Sequence, residues 1–255
     1  MSPLSNSFLL GDDNAIAVYC GSSTGREPAY AKAAASVGKA LGNKDRRLVY
    51  GGGFSGLMGA VSDAVLVSGG RITGITPRAI FDAGGEGTKP NLYPGSEASC
   101  SDQVLVDSMH ERKVEMAKRA AGFIGLPGGF GTFDEVVEAT TWTQIGIHDK
   151  PVVLLNVLSF YEPLRQLIKN SIEAGFIQPE YEKIVIFVDG PANREAHADF
   201  DWGEAAVDAI DDWRIERAKR MSKTMFDWTN CIDKVKNGQP RIPVHSLERT
   251  CMVQA

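Results

Sequence analysis

The sequence predicts an α/β fold: one doubly wound parallel sheet in a single domain, with an added C-terminal helix. Short apolar runs alternate with stretches whose apolar residues recur at helical spacing, which is the pattern of strands alternating with helices. Several of the runs end in glycine-rich turns, at 21–25, 51–56 and 127–132. With 255 residues and 43% hydrophobic content, the chain can bury one large core or two small ones. Strands that alternate with helices pair in parallel and carry helices on both faces, a Rossmann-like arrangement. Right-handed crossovers then place every strand-to-helix turn on one edge of the sheet, where such folds bind ligands.

Residues 1–14 have no basic start and no long apolar core, so they are expected to be a loose tail and not a signal peptide. The first strand, 15–20, ends in Gly21-Ser22-Ser23-Thr24-Gly25 and leads to an alanine-rich helix, 28–41. A strand at 47–50 runs into Gly51-Gly52-Gly53-Phe54-Ser55-Gly56 and a helix at 57–67, closed by Gly69-Gly70. A third strand covers 71–77. The stretch 82–101 holds Gly84-Gly85, Pro90 and Pro94, and reads as a long loop of the kind that is often functional. A strand at 103–106 precedes a helix at 109–121. The run 122–126 reads as a buried strand, and Val136, Val137, Thr140 and Thr141 mark the helix behind it. A strand at 151–157, a helix at 161–174 and a last strand at 184–188 complete a domain spanning 15–190. Beyond it, 191–202 is polar, holds His197 and is expected to be a loop. Residues 203–225 read as one long helix with Ala206, Ile210, Trp213 and Arg217 on a common face, and 237–255 as irregular. This 191–255 extension is expected to pack on the domain or on a partner subunit.

Composition removes several function classes. The formal net charge of −5 implies no general affinity for nucleic acid or an anionic membrane. No run approaches the roughly 20 apolar residues needed to cross a bilayer. Cys20, Cys100, Cys231 and Cys251 lie far apart without a Cys-x-x-Cys, so reduced thiols and a cytoplasmic location are expected. His110, His148, His197 and His245 are scattered without ligand spacing, so no metal is expected. Gly51-x-Gly53-x-x-Gly56 matches the dinucleotide fingerprint, but the next strand ends Ile75-Thr76-Pro77 with no carboxylate for a ribose. A nicotinamide or flavin cofactor is therefore disfavoured. The absence of Gly-Lys-Ser/Thr argues against a Walker nucleoside triphosphatase. Trp142, Trp202, Trp213 and Trp228 read as core residues, and the basic stretch 214–223, broken by Glu216, as a solvated helix face.

The chemistry concentrates in Leu126-Pro127-Gly128-Gly129-Phe130-Gly131-Thr132-Phe133-Asp134-Glu135. Glycines on a strand-to-helix turn let backbone N–H groups approach an anion, and the helix points its positive dipole end at the same place. Such a turn suits phosphate. Glu135, one turn into the helix, is a group that phosphate alone would not call for, so catalysis is expected there as well as binding. Glu138 reads as part of an acidic solvent face. Arg112 and Lys113 are two cations in a first helical turn, which opposes the dipole; facing the crevice, they are expected to bind ligand. The turns at 21–25, 51–56, 108–113 and 127–132 all fall on one edge. One crevice can therefore collect Ser22, Gly52, Gly53, Met109, Gly128, Gly129, Gly131 and Thr132.

Met109-His110-Glu111-Arg112-Lys113 and Pro127-Gly128-Gly129-Phe130-Gly131-Thr132-Phe133-Asp134-Glu135 resemble the Lonely Guy (LOG) family, whose signature Pro-Gly-Gly-x-Gly-Thr-x-x-Glu is matched at each fixed position. The resemblance extends through Tyr50-Gly51-Gly52-Gly53, Gly56-Leu57-Met58-Gly59 and the stretch 141–151, and spans about 16–190. It implies a cytokinin-activating phosphoribohydrolase. Such an enzyme cleaves the N-glycosidic bond of N6-substituted adenosine 5′-monophosphates, and by extension AMP, to free base and ribose 5-phosphate. It needs no cofactor, and its only small-molecule partner is the nucleotide. The resemblance places the catalytic pair on Arg112 and Glu135, and substrate contacts on Lys113, residues 129–132 and Thr141. It also calls for a loop glutamate, for which Glu86 is the nearest candidate. It further implies a homodimer or a higher homo-oligomer. Many relatives carry the label "lysine decarboxylase", which nothing in this sequence supports.

Overall fold

The computed structural model describes residues 14–84 and 101–220, with backbone only at 217–220. The expected N-terminal tail up to residue 13, most of the 82–101 loop with Glu86, and everything after residue 220 lie outside the described residues.

Seven parallel strands form one sheet: β1 (Ala15–Tyr19), β2 (Arg47–Tyr50), β3 (Ile72–Pro77), β4 (Ser101–Val106), β5 (Phe123–Gly125), β6 (Val152–Leu155) and β7 (Val185–Val188). Their order is β4-β3-β2-β1-β5-β6-β7. The order reverses between β1 and β5, which register Ala17 on Phe123 and Tyr19 on Gly125. In sheets of this kind ligands bind beyond the carboxyl ends of the strands at such a reversal. Central strands are buried on both faces and so read as unbroken apolar runs: every residue of β1 and β6 is buried.

The helices are α1 (Pro28–Asn43), α2 (Gly56–Val67), α3 (Arg78–Asp82), α4 (Met109–Arg119), α5 (Phe130–Gln144), α6 (Glu162–Glu173) and α7 (Trp202–Arg220). One face of the sheet packs Ile16, Val18, Leu48 and Val153 against α1, α2 and α7; the other packs Ala17, Val49, Phe123 and Leu154 against Met116, Val136 and Tyr161. Trp202, Ala206, Val207 and Ile210 of α7 lie in the first of these cores.

The structure corrects the expected elements at three places. A five-residue helix, α3, follows β3 where an irregular stretch begins in the sequence, being too short for helical periodicity to register. Helix α5 ends at Gln144 and starts at Phe130, one turn before Glu135 as expected, and it is helix α7 that starts a residue early, at Trp202, whose side chain is buried in the core. The polar stretch 191–202 contains a 3₁₀ turn, Arg194–Ala198, with His197 buried in it. The His197 ring is occupied on both nitrogens: Nδ1 accepts from the Leu158 N–H at 3.0 Å, and Nε2 lies 2.8 Å from the Pro191 carbonyl, to which it donates.

Candidate active site

The crevice is assembled by backbone bonds between turns distant in sequence. The Leu126 N–H donates to the Tyr19 carbonyl at 2.9 Å, carrying the β1–β5 ladder one step past the strands. The Gly21 N–H donates to the Pro127 carbonyl at 3.1 Å, and the Gly21 carbonyl accepts from Leu57 N–H at 3.0 Å. These bonds join the turns after β1, β2 and β5.

The turn after β5 is open to an outside partner. Gly129 is the N-cap of α5 and supplies no side-chain cap. The first N–H groups of a helix have no intrahelical acceptor. A Cβ at Gly129 or Gly131 would meet no heavy atom within 4 Å, so packing within the chain does not demand glycine there. Gly128 is different: its Cβ would lie 2.2 Å from Thr132 Oγ1, and Thr132 itself is buried. Gly128 keeps the turn closed over Thr132, whereas Gly129 and Gly131 leave space above the amides. That combination leaves room and free backbone donors for an oxyanion.

Arg112 comes from the turn after β4, on the same edge of the sheet. Helix α4 begins with a capping box: Ser108 Oγ accepts from the Glu111 N–H at 3.0 Å, and Glu111 Oε2 accepts from the Asp107 N–H at 2.8 Å. With the start so fixed, Arg112 turns inward to 6% exposure, and its Nη2 donates to the Gly51 carbonyl at 2.8 Å. The guanidinium lies where a side chain on Gly51 would be, 1.9 Å from an added Cβ. Met109 Sδ is 3.8 Å from Nη1. Gly52 has φ +83°, and its Cβ would strike Thr76 Oγ1 at 2.2 Å, so the second turn also depends on glycine.

The carboxylates converge on the same place. Burial raises the Tyr19 phenol well above its ordinary value; Glu135 and Glu138 raise it further and Arg112 opposes them, so all three charges act on the end of β1. Burial, then Glu135, also pushes the Cys20 thiol up, keeping it protonated. Lys113 donates to Asp134 Oδ2 and lies 3.0 Å from Glu138 Oε2. Burial lowers its pKa, but these two partners outweigh it and leave the ammonium above its usual value. Lys113 thus ties α4 to α5, and Glu138 belongs to this tie instead of to a solvent face.

Ser22 and Met109 are exposed on their turns, Gly52 and Gly53 are buried in the turn after β2, and Gly128, Gly129, Gly131 and Thr132 form the turn into α5. Phe54, Met109 and Phe130 are exposed apolar residues on the turns after β2, β4 and β5. Thr141 is not brought to the turn. It is exposed on α5, eleven residues past Phe130 and about 16 Å along the axis at 1.5 Å per residue. Glu86 lies outside the described residues. Among the described residues no group of three His, Cys, Asp or Glu side chains could hold a metal ion. Sequence reasoning missed Tyr19 and Tyr161. Both are buried, and Tyr161 Oη donates to the Leu126 carbonyl at 2.7 Å. No sequence motif marks a tyrosine on a neighbouring element for this contact.

A protein-family model described as "Possible lysine decarboxylase" matches residues 58–197. The chain is 43% identical over 171 residues to a cytokinin riboside 5′-monophosphate phosphoribohydrolase of Arabidopsis thaliana, covering 67% of this chain and 75% of that one. It is 44% identical over 180 residues to a cytokinin riboside 5′-monophosphate phosphoribohydrolase of Oryza sativa subsp. japonica, covering 71% and 69%. Among solved structures, the molybdenum cofactor carrier protein of Chlamydomonas reinhardtii superposes with a TM-score of 0.51 at 18% identity, covering 79% of this chain and 98% of that one. At that identity the likeness speaks to fold alone.

Proposed function

The chain belongs to the Lonely Guy family of cytokinin riboside 5′-monophosphate phosphoribohydrolases, and from that premise we propose how its crevice does the work. The enzyme is a hydrolase that cleaves the N-glycosidic bond of cytokinin riboside 5′-monophosphates, giving free base and ribose 5-phosphate. Cleavage of that bond passes through an oxocarbenium-like state. Glu135 is the carboxylate that stabilises this cation and orients the attacking water. Arg112 holds the leaving base as charge develops on it. The 5′-phosphate sits on the N-terminus of α5, over Gly129, Gly131 and Thr132. Binding energy from that remote group aligns the bond against Glu135. Gly52 and Gly53 form the floor, and Ser22 borders the phosphate. Lys113 acts through Asp134 and Glu138, holding the carboxylate face of α5 in place. Met109, beside Arg112, and exposed Phe54 receive the N6 substituent, and unsubstituted AMP is a poorer substrate for lack of it. Water and charged side chains suffice, with no metal or organic cofactor.

The observation that carries this reading is the open start of α5 on the sheet edge where Glu135 and buried Arg112 both act on Tyr19 at the end of β1. The test compares isopentenyladenosine with and without its 5′-phosphate. Charge-assisted hydrogen bonds contribute roughly 1.5–3 kcal/mol each, so losing two should lower kcat/KM on the order of a thousandfold or more. Equal kcat/KM for the two would make the turn structural and the enzyme a nucleosidase.

The family model's description raises decarboxylation as a second reading. A Schiff-base lysine must give up its proton. Lys113 is held by two carboxylates that favour its protonated form, which opposes that role. Thr141, too far along α5 to touch its own chain's phosphate, would meet substrate only in a second copy's crevice. We therefore place α5, with exposed Val137 beside Thr141, at a homo-oligomer interface. No described helix is long and apolar enough to cross a membrane. A cytoplasmic location is part of the proposal and rests on the unpaired spacing of the four cysteines.

A further inference from the structure

We infer that residues 156–161, which connect β6 to α6, set the position of the anion turn, with Tyr161 as the positioning residue. This rests on the assignment of that turn to the 5′-phosphate.

Past Gly125 and Leu154 the β5–β6 pairing ends. The next residue of β5's path, Leu126, is fully buried, so its carbonyl still needs a donor. Tyr161 Oη supplies it at 2.7 Å, from a side chain only 1% exposed. Leu126 is thus held from both sides, by Tyr19 through its N–H and by Tyr161 through its carbonyl. Pro127 and Gly128 follow directly. The phenol stays a donor at every working pH, because burial, then Cys20 and Glu135, push its pKa well up.

The connection is built to hold Tyr161 there. Leu158 and Ser159 are consecutive non-glycine residues with φ of 53° and 64°, a costly left-handed backbone that persists only where surroundings over-determine it. The surroundings are present. Leu158 N–H donates to His197 Nδ1, Ser159 N–H to the Asn156 carbonyl, and Phe160 N–H to the Val157 carbonyl. Asn156 Oδ1 accepts from Tyr161 N–H at 2.8 Å, while Asn156 Nδ2 donates to Asp189 at 2.7 Å. Arg165 closes the set with two bonds to the Asp189 carboxylate. The adjacent Phe160 stacks on Phe133 in the first turn of α5, with centroids 6.2 Å apart, so the connection grips the turn and the helix start together.

The test is Tyr161→Phe, which removes one hydroxyl and keeps the ring. Product inhibition separates the two halves of the substrate: ribose 5-phosphate reports on the anion turn and adenine on the base side. Loss of a single neutral hydrogen bond should raise the ribose 5-phosphate inhibition constant, and KM for isopentenyladenosine 5′-monophosphate, about fivefold to tenfold. The adenine constant should stay within about twofold, as the Tyr161 hydroxyl bonds to the Leu126 carbonyl, whereas Arg112 is anchored on the Gly51 carbonyl. Phe160→Leu, which loosens the same connection from its other contact, should shift the constants in the same direction. Equal weakening of both inhibitors, or a lowered Tm with unchanged constants, would overturn the positioning role. A wild-type enzyme that binds ribose 5-phosphate no better than ribose would overturn the phosphate assignment itself, and with it this inference, whatever the variants do.

Discussion

A methyl group at Gly51 is expected to disable Arg112 without touching it by mutation. An added Cβ would lie 1.9 Å from Arg112 Nη2 and 3.1 Å from Cζ. To reach ordinary contact near 3.4 Å, Nη2 must retreat by about 1.5 Å. The guanidinium has little room to do so, being 6% exposed and bonded to the Gly51 carbonyl at 2.8 Å. Gly51 itself needs no unusual backbone angle, unlike Gly52, so Gly51→Ala should leave the fold intact. Displacing a reacting group by about 1 Å can cost on the order of a hundredfold in rate, and a shift of this size should reach that range. The assay is release of free base from isopentenyladenosine 5′-monophosphate by Gly51→Ala, Arg112→Ala and the double variant. If the methyl acts only through Arg112, the double variant is no slower than Arg112→Ala alone. Losses that multiply in the double variant would refute the argument, as would near-wild-type turnover in Gly51→Ala.

Glu135→Gln keeps the side chain's shape but removes its charge, and should slow turnover about a hundredfold or more while binding of ribose 5-phosphate persists; near-normal turnover would end its assignment. Prolonged dialysis against a strong chelator should leave the rate unchanged, and activity lost there but restored by one divalent ion would mean a missed metal site. His148 makes a pH prediction. Burial, then Lys150, lower its pKa to about 3, so it is neutral when folded and charges near its usual value only when unfolded. Its contribution to stability is therefore complete above the ordinary imidazole range and is lost as pH falls toward 3, at up to about 1.4 kcal/mol per pH unit. Urea unfolding of His148→Gln at pH 7 and pH 5 should show a flatter dependence than the wild type, and an equal slope would sink the claim.

The sequence by itself determined the alternation of strands and helices, because parallel strands buried on both faces leave unbroken apolar runs such as Ala15–Tyr19 and Val152–Leu155. It also marked the glycine-rich strand-to-helix turn, because Gly128, Gly129 and Gly131 stand out between an apolar run and a helical pattern in the chain itself; that Gly129 and Gly131 are not demanded by packing is seen only in the folded chain. It could not rank the charges. Arg112 and Lys113 are neighbours with the same formal charge, yet one is buried on the Gly51 carbonyl and the other is tied to Asp134 and Glu138. That difference comes from which elements the sheet order brings beside α4, and no local pattern carries it. The same holds for Tyr161 and His197. Each is decided by a partner on another element, Leu126 for one and Leu158 for the other, because a side chain's hydrogen bond depends on distance in space and only the folded topology sets that distance.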